Sequence, residues 1–376
     1  MKRPMHDRTV RERTVQAIAK EDLDAVVVTS RQNLRHLANL YLPHLSVVPE
    51  EHMFLICRRD GERQLLIPEW MPTYAKERTE IPVTVWSYGT GAWNSLADAL
   101  RLQGLDEARV GIEAEYMTAA DRDRLARVLP KATLVSADRA LLANRLLKTP
   151  DEIAVIAEVA AAGERAMVEA IAAGWEGMTD REFAQELRLA SIRQGVDEVS
   201  WLALNWASPE QRTHPTDRPI RPGQVFSIEF GLCIDGYYSD LQRTVAVAPV
   251  PGDVQEAYEK LAGVHERTIA RMTPGRSVAS MHDEFLADMR DNGLEMWDWW
   301  LGHSIGLDVH EGLSLWLRDG EQTIFEPGMV FAVEPVVTTP AVLAFEDLVV
   351  IEDTGPRALS SQYNWDSLAI LGERVE

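Results

Sequence analysis

The sequence predicts two domains, an α/β domain over residues 1–148 and an α+β domain over residues 149–376 whose strands are mostly antiparallel. Three observations lead to this prediction. The chain has 376 residues, which is more than one ordinary hydrophobic core encloses. Short apolar strands alternate with helices in the first part, whereas paired strands separated by turns dominate the second. The hydrophobic fraction of 46% and the charged fraction of 26% are typical of globular proteins.

The first domain is predicted as a series of helices and buried strands. Helical periodicity predicts helices over residues 8–20, 96–102 and 119–128, and apolar runs predict strands over residues 25–29, 53–57, 64–67 and 83–86. A glycine-rich phosphate loop follows none of these strands, so the sequence indicates no chemistry in this domain. The junction is predicted near Lys148, because Thr149 precedes a proline and can cap the helix that follows.

The second domain is predicted to combine long amphipathic helices with strands. Helices are expected over residues 152–173, 182–194, 254–272 and 278–292, and strands over residues 225–231, 237–247, 329–335 and 345–351.

Charge and cysteine content exclude several classes of function. A formal net charge of −21 repels phosphate backbones and anionic lipid, so we expect no nucleic-acid partner and no membrane partner. The N-terminal residues carry charges without the apolar segment of a signal peptide, and no apolar run reaches the length of a membrane span. Cys57 and Cys233 are too few for a disulfide framework, which favours the reducing cytoplasm.

The first pair of candidate metal ligands lies on a predicted hairpin. Asp235-Gly236 is typical of a two-residue turn, which would pair Glu229 with Gln242 and put Asp240 on the same face. Glu229 and Asp240 are then diagonal neighbours, about 7–8 Å apart. Two carboxylates on one buried face repel each other unless a cation neutralises them.

A second hairpin predicts two more carboxylates and a nearby imidazole. If its turn is centred near Pro340, Glu334 lies directly opposite Glu346 within apolar strands. His303 lies among small residues, which suggests backbone close to a site. A single glutamate or histidine is more often structural, but four inward carboxylates with one imidazole form a ligand set for a divalent metal.

These motifs resemble the pita-bread family that includes prolidase, aminopeptidase P, methionine aminopeptidase and creatinase. The resemblance covers nearly the whole chain, since residues 23–36 are similar to the creatinase/prolidase N-terminal domain. It implies a pita-bread catalytic domain, a smaller creatinase-type α/β domain and a homodimer. It also implies five metal ligands, in chain order Glu229, Asp240, His303, Glu334 and Glu346.

The resemblance further implies a mechanism and a substrate class. Two divalent ions (Mn, Co, Fe or Zn) would share Asp240 and Glu346, and a water between them would attack an amide carbonyl. Glu334 would shuttle the proton, and His214 and His310 would contact the substrate. The implied function is that of an Xaa-Pro dipeptidase or aminopeptidase acting on small peptides.

Departures from the family pattern keep other functions open. Glu229 replaces the usual aspartate, which affects the metal pair, whereas Ser304, Ala344 and residues 312–313 replace residues that bear on the substrate. Creatinase lacks the metal and hydrolyses a C–N bond, so the alternative is a creatinase-like hydrolase or a lyase acting on a small nitrogenous or methylated metabolite. A third possibility is a non-catalytic binding module, which the cost of inward carboxylates disfavours.

Several tryptophans bracket the candidate site residues in sequence. They either line the pocket, which would favour an apolar or cationic substrate, or pack in the core or at a dimer contact. These residues are Trp201, Trp206, Trp297, Trp299, Trp300 and Trp316.

Overall fold

The computed structural model describes residues 7–46, 48, 51–206, 215–297, 300–311 and 316–375. Its internal contacts divide the chain into two compact units, Met1–Arg145 and Leu146–Glu376. The sequence predicts the junction slightly later, after residue 148. No helix within the described ranges combines the length and apolarity that crossing a bilayer requires.

The N-terminal unit is built on a mixed six-stranded sheet with strand order β4-β3-β2-β1-β5-β6. The strands are β1 (Ala25–Val28), β2 (Phe54–Arg58), β3 (Arg63–Pro68), β4 (Val83–Trp86), β5 (Arg109–Ile112) and β6 (Thr133–Ser136). The helices of this part are α1 (Asp7–Lys20), α2 (Arg31–Ala38), α3 (Pro72–Arg78), α4 (Ala92–Leu102), α5 (Ala119–Val128) and α6 (Asp138–Leu146). The predicted α/β class is confirmed, but α2, α3, α6, β5 and β6 were not predicted.

The central strand β1 explains why this part of the sequence is so apolar. Val26 and Val28 belong to the hydrophobic core on one face of the sheet, and Ala25 and Val27 belong to the core on the other. A strand that is buried on both faces has no polar alternation, so its sequence is a continuous apolar run.

The C-terminal unit contains an eleven-stranded sheet whose main path is β12-β11-β13-β15-β10-β8-β7. The strands are β7 (Glu198–Asn205), β8 (Val225–Ile234), β9 (Tyr237–Tyr238), β10 (Leu241–Ala246), β11 (Trp300–Ser304), β12 (Trp316–Arg318), β13 (Val330–Val333), β14 (Val336–Val337), β15 (Leu343–Glu352), β16 (Gly355–Ala358) and β17 (Ala369–Ile370). The neighbours along the main path are antiparallel, as the sequence predicts.

Among the described residues of this unit, four helices pack on the sheet, and all four were predicted. They are α7 (Pro150–Ala173), α8 (Asp180–Arg193), α9 (Gly252–Arg271) and α10 (Val278–Asp291). Thr149 caps α7 in a capping box with Glu152, which confirms the predicted cap. α7 packs closely on the sheet, because a Cβ added at Gly163 would lie 2.5 Å from Leu241.

The first hairpin has the predicted register. Asp235 and Gly236 have φ values of 51° and 87°, as a type I′ turn requires, and Gln242 pairs with Glu229. The prediction of one continuous strand over residues 237–247 was wrong, because Ser239 and Asp240 separate β9 from β10. Ser239 bonds across to the carbonyl of Leu232, and the interruption leaves Asp240 at the start of β10.

Candidate metal centre

One row of positions across the sheet brings together most of the predicted ligands. Glu229 on β8 pairs with Gln242 on β10, which pairs in turn with Glu346 on β15. The pairs flanking Glu334, from β13 to β15 and from β14 to β15, have one common register. That register puts Glu334 opposite Glu346, as the second hairpin predicted.

His303 lies at the centre of the acidic side chains. Its Nε2 is 3.4 Å from Oε1 of Glu334 and 3.6 Å from Oδ2 of Asp240. Candidate ligand atoms of His303, Glu334 and Glu346 all lie within 4.8 Å of one another, and so do those of Asp240, His303 and His310. His303, Asp240, Glu334 and Glu346 are at most 8% exposed, so the cluster is buried.

The backbone around His303 is tightly packed. A Cβ added at Gly302 would lie 2.0 Å from the carbonyl oxygen of Ala332, so only glycine allows β11 to approach β13 at this point. Gly302, one of the small residues around His303 in the sequence, therefore allows β11 to lie close to β13. This brings the His303 imidazole towards the carboxylates.

The protonation state of His303 suits metal binding. Its Nδ1 lies 3.2 Å from the carbonyl oxygen of Ser304 and must carry the proton, since a carbonyl only accepts. Burial, with a smaller contribution from His310, lowers the pKa of His303 to about 3. The neutral ring therefore presents an Nε2 lone pair to the carboxylates, and this donor set fits a divalent cation that would also relieve their repulsion.

Glu229 lies on the same face, but amide groups hold its carboxylate. Its Oε2 accepts hydrogen bonds from Nδ2 of Asn205 at 3.2 Å and from Nε2 of Gln242 at 3.4 Å. Both amides also bond to Oγ of Ser227. Among the described residues, neither of the two groups with mutual distances under 4.8 Å includes Glu229.

A buried charged network lies behind Glu346. Arg243 donates from Nη1 to the carbonyl oxygens of Glu346 at 2.7 Å and Gln242 at 2.9 Å, and it forms an ion pair with Asp347. Asp347 also accepts from Nε2 of His265 at 2.7 Å. Burial alone would raise the pKa of Asp347, but Arg243 and His265 hold that pKa well below its usual range. The network therefore fixes the backbone that carries Glu346.

A second buried ion pair supports the loop between His303 and His310. Lys148 is paired with Glu311, and the Glu311 carboxylate accepts from the backbone N–H of Leu307 at 3.2 Å. The hydroxyl of Ser304 donates to the carbonyl of Glu311. A Cβ added at Gly306 would lie 2.3 Å from the Glu311 carboxylate, so the loop closes tightly around this side chain.

His310 and two indoles extend the site towards solvent. The imidazole of His310 is exposed and its centroid lies 4.2 Å from that of His303. The indoles of Trp300 and Trp316 lie edge to face with it, at centroid distances of 6.3 and 5.1 Å. His214, Trp299 and residues 312–313 lie outside the described residues.

Sequence reasoning missed the residues that support the ligands. Asn205, Gln242, Lys148 and Glu311 belong to no pattern that distinguishes them from ordinary strand or loop residues. Asp347 did carry a signal, since it is a second acidic residue next to Glu346 within an apolar strand. The position of His265 on a helix does not reveal its contact with Asp347.

Comparison with known proteins adds a family assignment to this geometry. The model of Metallopeptidase family M24 matches residues 152–354, and that of the Creatinase/Prolidase N-terminal domain matches residues 11–147. A creatinase from Bacillus sp. (strain B-0618) is 27% identical over 345 residues, which cover 86% of this chain and 81% of that protein. An Xaa-Pro dipeptidase from Lactobacillus delbrueckii subsp. lactis is 25% identical over 317 residues, covering 82% of this chain and 84% of that protein.

A solved structure has the same fold. The Xaa-Pro dipeptidase from Bacillus anthracis superimposes with a TM-score of 0.85 at 20% identity, covering 97% of this chain and 100% of that one. The predicted pita-bread fold with a creatinase-type N-terminal domain is thereby confirmed.

Proposed function

We propose an Xaa-Pro dipeptidase or aminopeptidase activity for this chain, which belongs to metallopeptidase family M24 and is a metal-dependent peptide hydrolase. The observation that carries the proposal is the buried set of His303, Glu334 and Glu346, with Asp240 and His310 adjoining it. Relatives that carry the name Xaa-Pro dipeptidase, such as the Lactobacillus protein, support the substrate class.

The five predicted ligands are proposed to hold two divalent ions of Mn, Co, Fe or Zn. His303 and Glu334 would bind one ion, Glu229 the other, and Asp240 and Glu346 both. Such ions, when bound, supply a water of lowered pKa and a polarised carbonyl. The neutral Nε2 of His303 and the converging carboxylates support this assignment.

The remaining work of catalysis is assigned to side chains of this chain. Glu334 would take the proton from the attacking water and deliver it to the leaving amine, a role that the family resemblance implies and that a carboxylate can perform. His310, exposed beside the buried cluster, would donate a hydrogen bond to the substrate carbonyl oxygen as negative charge develops there. His214 is proposed as a second substrate contact on the basis of the family resemblance.

A creatinase-like activity is the second candidate. The creatinase from Bacillus sp. is similar over most of this chain, and Ala344 occupies the position where peptidases of the family usually carry an arginine. The methyl group of Ala344 is fully buried and brings no charge to the site. A small nitrogenous or methylated metabolite would then replace the peptide.

Assembly, location and domain limits complete the proposal. We propose a homodimer in the cytoplasm, supported by the family resemblance and by two buried cysteines that form no disulfide. We also propose that the catalytic domain begins at Thr149, where the cap of α7 supports a structural boundary.

Metal content measured by mass spectrometry tests the proposal directly. Protein purified with Mn or Co supplied should carry about two ions per chain and should lose activity on Gly-Pro and Leu-Pro when treated with a chelator. The His303→Ala variant should lose metal. The matched control is His282→Ala, because His282 is an equally buried histidine of α10 outside the cluster.

Each alternative outcome has a definite meaning. Wild-type protein that stays metal-free, or equal metal loss in both histidine variants, would contradict the proposed centre. Protein that hydrolyses creatine but neither dipeptide, whether or not it carries metal, would favour the second candidate.

A further inference from the structure

A β-bulge turns the side chain of Trp201 onto the neighbouring strand. The pairing of β7 with β8 shifts in register between Val199 and Trp201, and such bulges re-aim side chains next to functional sites. A Cβ added at Gly231 would lie 2.1 Å from Cη2 and Cζ3 of Trp201 and 2.6 Å from its Cε3. The indole therefore fills the space that a side chain at Gly231 would occupy.

That space lies on the face of the candidate metal centre. Gly231 is two residues from Glu229 along β8, so both residues face the same side of the sheet. Leu241 pairs with Phe230 in the hairpin, and the same register puts Gly231 opposite Asp240. The indole of Trp201 consequently lies over the β8 position that faces Asp240, and His310 has a nitrogen within 4.8 Å of the same aspartate.

Partial exposure distinguishes Trp201 from a tryptophan of the core. Trp206, the next indole in the sequence, is 9% exposed and packs on Phe226 with a centroid distance of 4.5 Å. Trp201 is only half-buried, although the carboxylates and the imidazole of the candidate centre are buried. Part of its surface is thus accessible to a bound molecule.

We propose that Trp201 is a specificity-determining residue that receives the side chain of Xaa when an Xaa-Pro peptide binds. An indole face attracts C–H groups through dispersion and cations through its quadrupole, and it gives an anion no such attraction. The pocket therefore selects apolar side chains over glycine and over acidic side chains.

This inference rests on the proposed function, because it assigns Trp201 to the side chain of Xaa, the residue that varies among Xaa-Pro peptides. The test compares kcat/KM for Leu-Pro, Gly-Pro and Asp-Pro in wild type, Trp201→Ala and Trp201→Phe. Trp175→Ala is the matched control, since Trp175 is an exposed indole of the same unit. Wild type should prefer Leu-Pro to Gly-Pro by about tenfold or more.

Trp201→Ala should abolish that preference while Gly-Pro hydrolysis persists, and Trp201→Phe and Trp175→Ala should retain it. An unchanged Leu-Pro to Gly-Pro ratio in Trp201→Ala, or a parallel loss on both peptides, would overturn the inference.

If wild type cleaves none of the peptides, the proposed function has failed, and calorimetric titration of the Mn-loaded protein decides the role of Trp201. Tighter binding of Leu-Pro than of Gly-Pro that disappears in Trp201→Ala supports the inference. Equal binding, or no binding, refutes it.

Discussion

Replacing Arg243 with methionine removes the positive charge from the network behind Glu346. The guanidinium is 2% exposed, and it bonds to two backbone carbonyls and pairs with Asp347. It also lies 5.0 Å from the centroid of the Trp365 ring. Methionine fills much of the volume but donates no hydrogen bond, so the Asp347 carboxylate stays buried without its main counter-charge.

The size of the effect follows from that burial. Removing one partner of a buried ion pair costs roughly 3–5 kcal/mol, and each 1.36 kcal/mol corresponds to a factor of ten. We therefore expect amide hydrogens of β10 and β15 to exchange about two to four orders of magnitude faster in Arg243→Met. Metal affinity should fall about 10–100-fold, as it does when residues that orient metal ligands are lost.

Hydrogen exchange followed by mass spectrometry measures the exchange rates of β10 and β15, on peptides covering residues 241–246 and 343–352. The matched control is Arg181→Met, because the pair of Arg181 with Asp217 is 52% and 82% exposed and should contribute less than about 1 kcal/mol. Exchange in Arg243→Met that matches the control would refute the view that this network supports the backbone of Glu346.

Three further predictions concern the site and its surroundings. Lys148→Met should lower kcat/KM and speed exchange in residues 304–311, because the Glu311 carboxylate loses its buried counter-charge; Lys148→Met combined with Glu311→Gln should recover part of the loss. Asn205→Ala, which removes an amide donor that competes with the ion for Glu229, should raise metal affinity about 10–100-fold in a chelator competition, and an unchanged affinity would show that the amide does not govern Glu229. Burial lowers the pKa of His282 below its usual 6.5, so below that pH the unfolded chain binds a proton that the folded chain does not, and the free energy of unfolding falls on acidification. In urea unfolding, the free energy of unfolding of His282→Leu should fall less between pH 7 and pH 5 than that of wild type. An equal decrease in both proteins would contradict this prediction.

Local chemistry explains which parts of the fold the sequence could predict. Asp235-Gly236 specifies a two-residue turn, and a two-residue turn fixes the register of both strands that leave it. The cap at Thr149 is likewise a local interaction with Glu152. By contrast, β5 contains Gly111, which only tertiary packing explains, because an added Cβ would lie 2.7 Å from Leu23 and 2.9 Å from Ala137.

In the candidate site too, local sequence patterns predict some features, whereas others depend on contacts between residues far apart in the sequence. Register alone brings Glu229, Glu334 and Glu346 to one row, since a strand pairing determines which positions face each other. Two of the partners of Arg243, Glu346 and Asp347, lie 103 and 104 positions from it in the sequence. Contacts between residues so far apart in the sequence form only in the assembled sheet, so local sequence patterns do not predict them.

The position of the Glu229 carboxylate, which the sequence does not predict, affects how many ions the site holds. The hairpin predicts where its Cα lies but not where its carboxylate ends, and a glutamate reaches one methylene farther than the usual aspartate. In the structure the carboxylate accepts from Asn205 and Gln242, so an ion binding there competes with two amide donors. His303 faces no such competition at Nε2, because its Nδ1 holds the proton. The side-chain amides of Asn205 and Gln242 therefore lower the affinity of Glu229 for an ion. This is why Asn205 is the residue to change.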